Sequence, residues 1–303
     1  MQRIIKLEEV LQLYIVDAFT DHIFGGNQAG VVLLREEQPF PDDRLMQKIA
    51  AELKHSETAF VTQLDHHNFQ LRYFTPEGEV ELCGHATVST FTVLREQGQI
   101  ACSDFVALTL SGNLSVSVEP DKIWLEMPQG ELAQTLSEDE AARAYAAYGL
   151  NGSDRVGNMQ PTIVKVGLAD ILLPVNSKTA LDHAMQNRDE VIAFTRELGS
   201  VGVHMFFLPA DGEPTAYCRN FAPLFGIDEE AATGTSNASL TYYLLLQGRV
   251  QPNNTNTFVQ GEAIGKPSTI LSKVDEHSKI WIGGNAVISV QGTLKTFINE
   301  RSC

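Results

Sequence analysis

Cations are scarce in this chain: 22 Lys and Arg stand against 38 Asp and Glu in 303 residues, a formal net charge of −16. Nucleic acid and anionic membrane surfaces need clustered Lys and Arg, so neither is expected as a partner. The four cysteines, Cys83, Cys102, Cys218 and Cys303, form no C-x-x-C pair. In a chain this long they read as free thiols of a reducing compartment, the cytosol, and not as a disulfide framework. No apolar run approaches the ~18 residues of a membrane span. The first thirteen residues are broken by Lys6, Glu8 and Glu9 and lack a small-residue cleavage site, so they read as a short terminal extension and not a signal peptide. There is no G-x-G-x-x-G and no P-loop, hence no sign of a nucleotide cofactor. His66-His67 has no companion ligands at metal-binding spacing, so no metal is expected.

What the chain has is a near copy of itself. Gly84-His85-Ala86-Thr87 opens a run ending at Gln97-Gly98, and Gly234-Thr235-Ser236-Asn237 opens one ending at Gln247-Gly248, 150 positions later. Upstream, Arg72-Tyr73-Phe74-Thr75-Pro76 matches Arg219-Asn220-Phe221-Ala222-Pro223 at an offset of 147, and at that offset Glu57 falls on His204. A repeat this long is a duplicated half and not a solenoid unit. Strand-like runs at 13–16, 31–34, 58–62, 69–74 and 80–82 precede the first glycine; 162–166, 171–175, 203–208 and 215–219 precede the second, and 257–260, 269–271, 280–282 and 286–290 follow it. The stretch after Asp42-Asp43 and residues 188–198 read as amphipathic helices. The runs after Gly84 and Gly234 are apolar nearly all round, so both helices belong inside. The fold expected is α+β: two similar domains, each a curved, mostly antiparallel sheet around a central helix. The boundary is placed at 125, giving 1–125 and 126–291, with the closing strand, about 292–303, free to pack on the first half. Two helix N-termini aimed at the shared boundary present unpaired N–H groups and partial positive charge, a site for a small carboxylate.

Three clusters could carry chemistry there. Glu57 stands where an apolar strand begins, placed for acid/base work, although a solvated glutamate at a helix-to-strand turn explains it equally well. In Cys83-Gly84-His85-Ala86, Gly84 and Ala86 offer backbone to a ligand, His85 a proton or hydrogen bond, and Cys83 a secondary acid or base; the alternative is a tight turn at Gly84 with a satisfied His85, and a small core residue is the more common role of a free cysteine such as Cys83. In the segment 226–236, Glu230 is nearest the turn, and Gly234, Thr235 and Ser236 supply N–H groups and hydroxyls.

The ordered string Asp17-Ala18-Phe19-Thr20, Phe24-Gly25-Gly26-Asn27, His55-Ser56-Glu57-Thr58-Ala59-Phe60, Arg72-Tyr73-Phe74-Thr75-Pro76, Cys83-Gly84-His85-Ala86-Thr87 and Ala232-Thr233-Gly234-Thr235 closely resembles the PhzF-like (phenazine biosynthesis F-like) family from about Tyr14 onward. The resemblance implies the diaminopimelate epimerase-like fold, a homodimer, and an isomerase that needs no cofactor. In such an enzyme one glutamate moves a proton between ring carbons of dihydro-hydroxyanthranilate. By the same resemblance Glu57 is that glutamate and His85 the site histidine; Glu230 replaces a site aspartate, Thr235 a site serine, and Ala231 the usual proline. The two-base epimerases and racemases of the same superfamily place a thiol before each helix. Here Cys83 fits the first place but the second falls on Thr233, which argues against two-thiol racemisation.

The sequence therefore points to a cofactor-independent isomerase of a small carboxylate, with Glu57, His85 and Glu230 catalytic and Gly84, Ala86, Gly234, Thr235 and Ser236 binding substrate. Its rivals are a non-catalytic carboxylate- or partner-binding protein on the same scaffold, and an epimerase pairing Glu57 with Cys83.

Overall fold

The computed structural model describes residues 5–36 and 38–300. In chain order the first elements are β1 (Ile5–Ala18), β2 (Asn27–Leu33), α1 (Asp43–Leu53), β3 (Glu57–Gln63), β4 (Asn68–Phe74), β5 (Glu79–Val80), α2 (Gly84–Glu96), β6 (Asp104–Thr109), β7 (Gly112–Val118) and β8 (Ile123–Glu126). Then come β9 (Glu131–Thr135), α3 (Glu138–Ala146), β10 (Thr162–Val166), β11 (Leu168–Val175), α4 (Lys178–His183), α5 (Arg188–Glu197), β12 (Gly202–Phe207) and β13 (Ala216–Ala222). The chain continues through β14 (Ile227–Glu230), α6 (Gly234–Leu246), β15 (Thr255–Gln260), β16 (Ser268–Val274), β17 (Ile280–Gly284) and β18 (Ala286–Glu300). This is a mixed α+β fold with much sheet and few helices.

The ladders repeat. β2 runs parallel to β3 with α1 between them, as β11 runs parallel to β12 with α4 and α5 between them. β4 pairs in parallel with β6 across α2, and β13 with β15 across α6. Parallel neighbours need such crossovers, because a tight turn cannot reverse the chain twice. The other named ladders are antiparallel. Two connections tie the copies together: β8 pairs with β17, and β18 returns to pair with β1 from Ala18↔Ala286 out to Ile5↔Glu300. β9 pairs with β10 in the corresponding place.

Two readings of the sequence change here. Residues 5–13 are not an extension but the first part of β1, with Leu13 opposite Gly292; the partner lies far along the chain, so no local pattern reveals it. The counterpart of Glu57 is not His204. Phe60 pairs with Arg72 as Met205 pairs with Arg219, so Glu57 corresponds to Gly202 and Ala59 to His204. A longer connection between β12 and β13 shifts the offset. Helices α3 and α4, unmarked in the sequence reading, cover the second copy's sheet.

One core spans both copies. Val88, Phe91, Val93 and Leu94 of α2 and Ala238, Leu240, Tyr243 and Leu244 of α6 belong to it. From His85 to Leu94 every residue of α2 is buried, small polar side chains included, so the helix lies inside. Two of its hydroxyls bond back into the helix, Thr87 donating to the Cys83 carbonyl and Thr90 to that of Ala86, both at 2.7 Å, while those of Ser89 and Thr92 are buried without a partner. α1 seals a smaller cluster with Met46, Ile49, Phe60 and Phe74, and α3 to α5 seal another around Tyr145, Phe194 and Phe221.

Candidate active site

Strands β5 and β14 run into α2 and α6 through Cys83 and Thr233, extended residues (φ −143° and −128°) whose side chains do not cap the helices. The first-turn N–H groups are thus left without side-chain caps, and both helix starts open on one cavity of about 150 Å³. Its lining includes Glu57, Cys83, Gly84 and His85 from the first copy and Asp170, Asn220, Glu230, Thr233, Gly234, Thr235 and Ser236 from the second. A Cβ added at Gly84 would meet nothing nearer than the Leu125 methyl at 3.9 Å, so the glycine leaves that space to the cavity. Ala86, by contrast, is fully buried and lies off the lining. The other sequence-predicted site residues come together here.

Glu57 opens β3, where α1 has ended in a left-handed Lys54 (φ 59°) and the chain turns inward. Its Oε2 lies 3.3 Å from His85 Nε2. The Cys83 sulfur is 3.4 Å from His85 Nδ1, and burial, reinforced by the Glu57 charge, pushes its thiol pKa well up. Glu230 accepts from Asn27 Nδ2 at 3.0 Å and from Thr233 Oγ1 at 2.7 Å. Burial raises its pKa, opposed by the nearby His85 and by these hydrogen bonds, with the Glu57 charge adding to the rise. His85 thus faces carboxyl groups from both copies. The Asn27 amide also donates to the Ala232 carbonyl at 2.8 Å, so a first-copy strand braces the turn before α6. Gln260 secures the same turn, donating to the Glu230 carbonyl and to Thr233 Oγ1 at 2.8 and 3.1 Å.

The sequence reading passed over two of these groups. Asp170, 2% exposed in β11, accepts from Ser236 Oγ at 2.8 Å, and burial pushes its carboxyl up to about 7. A lone carboxylate in an apolar strand was the available signal. Asn27 was quoted within a motif without a role; its amide meets His85 Nδ1, 58 positions on, as well as Glu230 and the Ala232 carbonyl, more than 200 positions on. The spacing showed no metal set either, yet the fold brings donor atoms of Glu57, Cys83 and His85 within 4.8 Å of one another. A larger groove of about 510 Å³, lined by His67, Asp104, Lys273 and Trp281 among others, holds none of the converging acid/base groups.

The model of the family described as phenazine biosynthesis-like protein (PhzC-PhzF) matches residues 16–292. The chain belongs to this family. A relative from Clostridium acetobutylicum, named an uncharacterized isomerase, is 30% identical over 297 residues, covering 93% of this chain and 97% of that one. The crystal structure of a PhzF-family phenazine biosynthesis protein from Bacillus anthracis superposes with a TM-score of 0.83 at 24% identity, covering 94% and 99% of the two chains. The fold extends to a hydroxyproline epimerase from Agrobacterium vitis with bound trans-4-hydroxy-L-proline, TM-score 0.64 at 14% identity, over 96% and 92%. With relatives named isomerases, this PhzC-PhzF member is an enzyme of the isomerase class.

Proposed function

We propose that the chain is a cofactor-independent isomerase that moves a proton between carbons of a small carboxylate, with Glu57 as the acid/base. The observation that carries this reading is Glu57 Oε2 at 3.3 Å from His85 Nε2, on the wall of a cavity that two uncapped helix N-termini share. The substrate carboxylate lies against the Gly84 and Gly234 starts, with Thr235 beside it. Glu57 takes a proton from a carbon conjugated to that carboxylate, the electron pair shifts into an enolate, and the new carbanion centre takes the proton back from Glu57. The backbone N–H donors stabilise the enolate, at about 3 kcal/mol per oriented donor in a site without bulk water. His85 hydrogen-bonds the reacting end, and Glu230 is a positioning residue, since both its oxygens already hold Asn27 and Thr233. Below its pKa of about 7, Asp170 presents a neutral carboxyl from the second copy.

An epimerase pairing Glu57 with Cys83 is less well supported. Both groups come from the first copy and their donor atoms lie within 4.8 Å of each other, whereas inversion needs a base on each face of the substrate. Proton NMR of trans-2,3-dihydro-3-hydroxyanthranilate in deuterated water tests the proposal. Wild type should convert the compound or exchange its C–H, and Glu57→Gln should lose turnover by at least about a thousandfold with binding retained. Turnover unchanged in Glu57→Gln would remove the mechanism, and binding without exchange in wild type would favour the non-catalytic reading.

A further inference from the structure

Glu57, Cys83 and His85 form a second kind of site besides an acid/base one. Carboxylate oxygen, imidazole nitrogen and sulfur are the donors that tetrahedral Zn²⁺ takes, at about 2.0–2.3 Å each, which sets the edges of the ligand tetrahedron at about 3.3 Å for N to O and 3.5 Å for N to S. Glu57 Oε2 is already 3.3 Å from His85 Nε2, and Cys83 Sγ is 3.8 Å from the same nitrogen. Glu57 Oε2 is buried, and its 3.3 Å approach to His85 Nε2 is not an aligned hydrogen bond. All three donor atoms lie within 4.8 Å of one another. All three residues line the cavity, which leaves the fourth position open to water or to a ligand carboxylate.

We propose that Glu57, Cys83 and His85 bind one thiophilic divalent cation of the Zn²⁺ type, and that the cation shuts the enzyme off by occupying its acid/base. Binding replaces the S–H bond with a sulfur–metal bond and releases that proton to solvent, with no change of oxidation state. The binding half needs no substrate; the inhibitory half rests on the isomerase reading.

Titration of the metal-free full chain with Co²⁺, a spectroscopic substitute for Zn²⁺, tests it. One equivalent should produce a thiolate-to-cobalt absorption with the visible bands of tetrahedral cobalt, and Zn²⁺ should bleach both. Cys83→Ser should abolish the thiolate band, and Glu57→Gln, at a residue on the cavity rim, should weaken cobalt binding at least about tenfold. Circular dichroism of both variants checks that they fold. A variant at the exposed thiol, Cys102→Ser, should keep the full signal. A thiolate band that survives Cys83→Ser, or its absence from the folded wild type, overturns the proposal. Cobalt binding with no turnover on any carboxylate leaves the metal site standing and removes the isomerase reading, so the two failures are distinct.

Discussion

Asp170 and Gly84 show how single residues set this site. Asp170 is buried with one hydroxyl partner, and its carboxyl titrates near 7 in the fold against about 3.9 in the unfolded chain. Between those values the native state holds a proton that the unfolded state has lost, so the group lowers stability as pH rises from about 4 to about 7 and by a constant amount above. The full cost reaches about 4 kcal/mol. Asp170→Asn should therefore melt higher than wild type at pH 8 and little differently at pH 4; an equal difference at both, by calorimetry, would contradict the burial argument. Gly84 lies at the opposite extreme. A Cβ there meets only a methyl at 3.9 Å, so Gly84→Ala should keep or slightly raise the melting temperature while weakening carboxylate binding about tenfold or more. A variant that binds as well as wild type would mean that no ligand approaches that backbone.

Helix α2 carries both the core and the site. Its first residues are exposed to the cavity through uncapped amides, while Val88, Phe91 and Val93 are fully buried on different sides of the helix. Phe91 packs edge-on against Phe69, with ring centroids 5.6 Å apart, and lies 5.9 Å from Phe105. Truncation there leaves a cavity that a surrounding sheet cannot collapse to fill. Phe91→Ala should cost about 3–5 kcal/mol of unfolding free energy in denaturant titration, and a loss under about 1 kcal/mol would show that the helix is not packed as described. The same rigidity serves the chemistry, because a helix held on all sides fixes Gly84 and His85 against the Glu57 strand.

At the scale of the molecule, the site exists because the copies interlock. Asn27 crosses from one copy to brace Glu230 and Ala232 of the other, and β18 leaves the second copy to pair with β1. We take the division near residue 125 as a proposal about descent, not independence. A fragment 1–125 lacks β18 and the α6 side of the shared core, so it should not fold alone, and co-expression with 126–303 should recover soluble complex; a cooperative melt of the fragment by itself would contradict this. The repeat, the two buried helices and the roster of Glu57, Cys83, His85 and Glu230 were legible because they rest on local pattern: apolar periodicity, and a glycine opening each helix. The amphipathic α1 and α5 were legible for the same reason. Sequence spacing could not show that residues 5–13 are a strand, that Gly202 and not His204 matches Glu57, or that Asp170 and Asn27 join the site. The strand, Asp170 and Asn27 depend on partners distant in the chain, and the Gly202 match on the register of β12 against β13. Local pattern determined which elements form and which side chains are available; tertiary pairing decided which of them meet, because register and burial are set by the strand or helix on the other side.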